Sequence, residues 1–261
     1  SLKNYQSTTF DVGDTVGATA KTIQESTADW MRLGESINEA AESAKASNIL
    51  LNVSEFESID EATESLVAMS QAYSELGKMD IIDVLNNIGN NYSIATDGLA
   101  TALQKSASAL KTANNDLNSA VALATAGNAV VQDPDSVGAG IRTISLRLRG
   151  TSTKELSEAG EETDSAITSK SKLRSKIKTL SGVDILTDTG AYKSTYQILL
   201  EISKVWEKMS DIDQAALLEI IAGKTRSNTA AAILSNTTDL ENAYVDALHA
   251  EGSAYKENEK Y

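Results

Sequence analysis

Cysteine is absent from the 261 residues, which excludes disulfides, thiolate metal sites and cysteine nucleophiles. Histidine occurs once, at His249. That leaves no spare base for Ser-His-Asp catalysis and excludes a multi-histidine metal site. Proline also occurs once, at Pro134, and aromatic residues make up only 5%. Both scarcities fit helices and argue against a β-sandwich, which needs many turns and aromatic strands. Basic residues are outnumbered, 23 Lys and Arg against 37 Asp and Glu, for a net charge of −14. Such a chain is a poor duplex-binding surface, because counterion release needs clustered cations. No window approaches the ~18 uninterrupted apolar residues of a membrane span, so no membrane contact is expected from this segment. The chain opens on Ser1 without a signal-peptide pattern and is read as a piece of something longer.

What remains is a string of short amphipathic helices with clear stops. The apolar fraction of 41% is that of a globular chain. A polar, Ala- and Glu-rich stretch runs from about Val16 to Ala46, with Ile23, Trp30, Leu33 and Ile37 as its apolar points and Gly34 as an interruption. This stretch is the one most suited to extend or to pair with a neighbour. Ser58 and Glu61 form a capping-box pattern ahead of Ile59, Ala62, Leu66, Met69, Tyr73 and Leu76, spaced by threes and fours along one stripe. Asp80 and Thr96 are suited to cap the next two helices, the first stopped by Gly89 and the Asn90–Asn91 pair and the second by the Asn114–Asn115 pair. A fifth helix carries Leu117, Val121 and Ala124, and Gly127 closes it. Asp133 and Pro134 then read as N-cap and first helical residue, ahead of a face made by Val137, Ile141, Ile144 and Leu148. Val183–Thr187, the turn at Asp188–Thr189–Gly190 and Ala191–Lys193 can make a small β-hairpin. Ser194 and Gln197 suggest another capping box, Asp211 a further cap, and Gly223 a C-terminal glycine. A last helix runs from about Thr238 toward Tyr255, and Lys256 to Tyr261 read as frayed.

The expected fold is all-α, a bundle of about eight or nine short amphipathic helices, with the hairpin near 183–193. A continuous helix of this length would run roughly 390 Å at 1.5 Å per residue, and the breaks forbid it. Four regions follow: a polar helical segment at 1–54, a helical core region at 55–149, a basic polar linker at 150–182, and a hairpin with C-terminal helices at 183–261. Charge supports the third. Residues 1–141 hold 7 basic and 19 acidic residues, 142–178 hold 9 and 5, and 179–261 hold 7 and 13.

The search for chemistry returns structural readings. Ala222–Gly223–Lys224–Thr225 looks like the tail of a phosphate-binding loop, but Leu218 stands where its first Gly belongs and a helix precedes it, so a helix-ending glycine is the better reading. Asp184, Asp188 and Gly190 lack the alternating acids and closing Glu of a calcium loop, and read as a turn. His249 reads as a solvated surface residue, and Glu161–Glu162 as solvation in a polar linker. The basic block of Arg142, Arg147, Arg149, Lys170, Lys172, Arg174, Lys176 and Lys178 has no interleaved aromatic for base stacking. A solvated face, or one that meets the acidic surface of another copy or a partner, is favoured over nucleic acid. Gly138, Ala139 and Gly140 are small residues inside a helix, where each Gly costs about 1 kcal/mol relative to Ala. They read as tight helix packing. No catalytic, metal-binding or cofactor-binding residue emerges, and no cofactor or small-molecule substrate is expected.

The run Ser136–Val137–Gly138–Ala139–Gly140–Ile141–Arg142–Thr143–Ile144–Ser145–Leu146–Arg147–Leu148 resembles a signature of tailed-phage tape measure proteins, in which a small-residue helix passes into a Leu/Arg-rich end. The Thr96–Leu110 and Leu117–Gly127 helices look like the Ala-rich pair that precedes it. The Asp188–Gly190 turn, the Tyr196–Trp206 helix, and Ile220 to Arg226 followed by Ala230–Leu234 are similar to the family's second half. The resemblance spans roughly residues 55–235 and rests on the order of elements more than on any one motif. The polar stretch at 150–182 departs from the commonest form and looks like the variant in phages and prophages of Gram-positive bacteria. Its structural motif residues here are Gly138, Ala139, Gly140, Ile141, Arg142, Leu146, Leu148, Gly223 and Arg226. The resemblance implies a non-enzymatic structural protein that sets tail length during assembly, fills the tail tube lumen and leaves through the tube at infection. It implies the host cytoplasm as the place of assembly. The expected partners are tail tube subunits, tail assembly chaperones and other copies of itself. The alternative is a non-catalytic helical scaffold or adhesion module of a bacterial surface or secretion assembly.

Overall fold

Side-chain caps set where most helices begin. Ser36, Ser58, Ser152, Ser169, Ser194 and Ser210 each stand in extended backbone and accept the amide three residues on, supplying a bond that a helix's first turn lacks. Asp116, Asp133 and Asn236 cap in the same way. The computed structural model describes residues 20–260. Its α-helices are α1 (Ala20–Arg32), α2 (Ile37–Asn52), α3 (Ile59–Ala72), α4 (Lys78–Asn91), α5 (Thr96–Thr112), α6 (Leu117–Val131), α7 (Pro134–Leu148), α8 (Thr153–Glu158), α9 (Lys170–Ser181), α10 (Thr195–Ser203), α11 (Asp211–Ala222), α12 (Ser227–Leu234), α13 (Thr237–Leu248) and α14 (Ser253–Asn258). A 3-10 turn, Trp206–Lys208, follows α10.

The fourteen helices among the described residues exceed the eight or nine expected. The surplus comes from pieces too short or too polar for periodicity to register, α8, α9 and α12. It also comes from two stretches that glycine divides, at Gly34 (φ 98°) between α1 and α2 and at Gly252 (φ 78°) between α13 and α14. The β-hairpin is not present. Residues 183–193 hold one isolated antiparallel bridge, Leu186 with Tyr192, among the described residues. Its expected arms, Val183–Thr187 and Ala191–Lys193, are five and three residues long, and no third strand among the described residues shares the load. Gly89 and Gly127 do not themselves stop their helices: the first ends at the Asn90–Asn91 pair, as expected, and the second continues to Val131. Gly89 instead lets the backbone of Thr96 approach, and Gly127 lies 3.1 Å, measured from a built Cβ, from Val137. The N-caps ahead of Asp80, Thr96 and Asp211 are Gly77, Ala95 and Ser210. Lys256–Asn258, expected to fray, are helical.

The N-terminal part of the polar stretch, Val16–Thr19, lies outside the described residues. The rest does not extend. α1 folds back on α2, burying Ile23 and Trp30, whose indole N–H donates to Ser47 Oγ at 3.1 Å. At the centre stands α6, buried on nearly every side from Leu117 to Asn128, as an all-round apolar helix must be. It packs against α5, α7, α12 and α13. One continuous apolar core runs from Ile23 through to Ala254 and includes Leu173 and Ile177 of α9.

Polar side chains tie distant elements to that core. Buried Asp83 on α4 accepts the amides of Gly252 and Ala254, both at 2.8 Å, and so caps α14 from across the fold. Tyr92 donates to Asp246 at 2.7 Å, and Asn86 donates to Ser253 at 2.6 Å. Asn115 accepts the Tyr196 amide at 2.9 Å and positions the start of α10.

Candidate functional site

The small-residue helix α7 is held on several sides at once. Asp133 caps it, Pro134 occupies the first position, and Val137, Ile141, Ile144 and Leu148 point into the core. Gly138 lies against the backbone of Ala102 on α5, whose carbonyl oxygen is 2.5 Å from the place a Cβ would take. Gly140 faces Thr229 on α12, with Thr229 Cβ 2.7 Å from the corresponding point. The two glycines therefore bring two helices close on two sides of α7. Ala139 is buried, Leu146 is half-buried, and Arg226 stands half-buried just before α12.

The basic end of α7 is not a solvated face. Arg147 is 2% exposed. Its guanidinium donates to four carbonyl oxygens. Nη1 reaches Glu219 at 3.2 Å and Ile220 at 3.4 Å, near the end of α11. Nη2 reaches Glu162 at 2.6 Å and Asp164 at 2.9 Å in the loop after α8. Nε is buried without a hydrogen-bond partner. Burial pulls the guanidinium below its ordinary pKa, and the opposing carboxylates act in the order Glu162, Glu161, Asp164, Glu219. A planar fork of donors suits this task, because one group must bind acceptors on two separate segments.

Glu161 and Glu162 are likewise structural, against the expectation of solvation. Glu161 is buried, accepts Arg142 Nε at 2.7 Å and takes the hydroxyl of Thr143. Glu162 accepts the backbone amides of Lys224 at 3.2 Å and Thr225 at 2.9 Å. The look-alike phosphate loop is thus already filled, by the chain's own carboxylate. Gly223 makes room for it. Its φ is 68°, and Arg147 Nη2 and Glu162 Oε2 each lie 2.8 Å from where its Cβ would stand. A side chain there would clash with both charges and strain the backbone.

The rest of the basic block is neutralised only in part. Asp184 binds Arg174 through two contacts of 2.7 Å and Lys178 at 3.3 Å, and Arg174 holds its carboxyl well below the usual range. Arg149 stacks over the Tyr192 ring, 4.5 Å from the centroid. Asp188 lies exposed in the turn, and His249 is exposed at the end of α13. Among the described residues no group of acids or histidine is arranged to hold a metal ion. No described helix is long and apolar enough to cross a membrane.

The hydrogen bond from the Thr225 amide holds the Glu162 carboxyl below its ordinary pKa. A depressed folded pKa means the stabilisation is present above the unfolded value, about 4.3, and is lost as pH falls through the folded value. Urea midpoints measured from pH 7 down to pH 3 are expected to fall for the native chain. Glu162→Gln should start lower at pH 7 and fall less steeply. Parallel curves for the two proteins would remove Glu162 from the acid response.

Helices latched together by buried polar groups define an all-α protein. The chain belongs to the phage-related minor tail protein family, whose model matches residues 6–223. It is accordingly a structural component of a phage tail. No solved structure matches it.

Proposed function

We propose that the chain is a folded segment of a tail tape measure protein of the kind found in phages and prophages of Gram-positive bacteria. In this reading it helps set tail length and assemble the tail tube in the host cytoplasm. It occupies the tube lumen in the virion and leaves through the tube at infection. Its partners are tube subunits, tail assembly chaperones and further copies of itself. The observation that carries the reading is the order of elements around α7: an Ala-rich pair α5–α6, the small-residue helix with its Leu/Arg end, and α11–α12 joined at Gly223. Deletion of the coding region for residues 55–235 from the phage, with tails then measured by electron microscopy, tests it. Tails of scattered length, or none, are expected. Tails of normal number and uniform length would overturn the reading.

A further inference from the structure

A groove with a basic rim and a projecting apolar side chain between two acids match each other. The groove lies between α9 and the 183–193 turn and encloses about 710 Å³. Ile185, Leu186 and Tyr192 give it an apolar lining, and Lys170, Arg174 and Lys178 give it a basic rim. Asp184 neutralises part of that rim through Arg174 and Lys178. Lys170 is exposed and has no ion-pair partner among the described residues; its ammonium rests 5.7 Å from the Tyr192 ring centroid. The groove therefore keeps excess positive charge, in the one block of the sequence that is net basic.

The projecting side chain is Ile212 in the first turn of α11. At 76% exposure it is the most exposed large apolar side chain among the described residues. Asp211 and Asp213 flank it, and neither has an ion-pair partner among the described residues. An aliphatic side chain flanked by two carboxylates suits an apolar slot with a cationic rim. α11 packs against α9, yet Ile212 is not among the residues lining the groove, so the chain does not fill its own slot.

We propose that this groove receives the Asp211–Ile212–Asp213 turn of a second copy of the chain. The knob and the groove are different surfaces, so each copy offers one of each. Such a heterologous contact can propagate head to tail unless rotation closes it. Charge complementarity selects the partner: the remaining surface is net acidic and would repel the knob's carboxylates.

Sedimentation velocity over a concentration series, with circular dichroism to confirm folding, tests the assignment. The native chain is expected to self-associate reversibly. Ile212→Lys and Lys170→Glu should each weaken association at least about tenfold, the scale of losing a buried aliphatic anchor or reversing a close charge pair. Mixing the two variants should restore a one-to-one complex, because the intact knob of the Lys170→Glu protein meets the intact groove of the Ile212→Lys protein. A native chain that stays monomeric overturns the proposal. So does an Ile212→Lys protein that associates as the native one does, or a mixture that forms no complex.

Discussion

Arg147→Met should lower the unfolding free energy by about 3 kcal/mol, one of the largest single-residue effects in the chain. Methionine matches the length and apolar stem of arginine, so packing along α7 is largely kept. What is lost is the donor fork. Two carbonyls near the end of α11, at Glu219 and Ile220, and two in the loop after α8, at Glu162 and Asp164, lose their shared partner. Each buried acceptor left unmade costs about 1–3 kcal/mol. The substitution also removes a desolvated charge and a partnerless Nε, which offsets part of the loss. Arg147→Lys should recover less than half, because one ammonium cannot bridge both segments. Urea unfolding followed by circular dichroism should show a lower midpoint at an unchanged slope. A change under about 0.5 kcal/mol, the size of an ordinary surface substitution, would show that the fork does not join α11 to the loop.

The contrast between α7 and Arg147 shows where the sequence is legible. Helix faces are written in repeats of three and four, so Val137, Ile141, Ile144 and Leu148 can be placed inward without coordinates, as the structure confirms. The Asp133–Pro134 start is equally local and is found as read. Arg147 follows Ile144 by three, on the same stripe, and that position was the available sign that it is buried. Charge counting hid it, since a block of cations reads as solvated until its acceptors are known. Those acceptors are backbone carbonyls, 15 to 73 residues away, and carbonyls have no sequence signature. The same limit applies to Glu162, whose partners are amides 62 and 63 residues on. The glycines at 89 and 127 fail for a related reason. A glycine that ends a helix and one that admits a neighbour look alike in one dimension, and only the facing atoms, Thr96 or Val137, separate them.

Gly138→Ala puts that distinction to the test with the sign of its effect. In an isolated helix the change stabilises by about 1 kcal/mol. Here it should destabilise by about 2 kcal/mol, because forced overpacking costs about 1–3 kcal/mol and more where backbone must move. The new methyl would stand 2.5 Å from the Ala102 carbonyl oxygen and 2.8 Å from its Cα. Neither atom can rotate away, so α5 must shift as a body, and α5 is also packed on α3, α4 and α6. A second substitution decides the cause. If the clash were between two methyl groups, Ala102→Gly would relieve it and restore stability. Because the contact is with the carbonyl oxygen and Cα, which a glycine keeps, the double variant should remain as unstable as Gly138→Ala or more so. Rescue by Ala102→Gly would refute the close approach of backbones between α5 and α7.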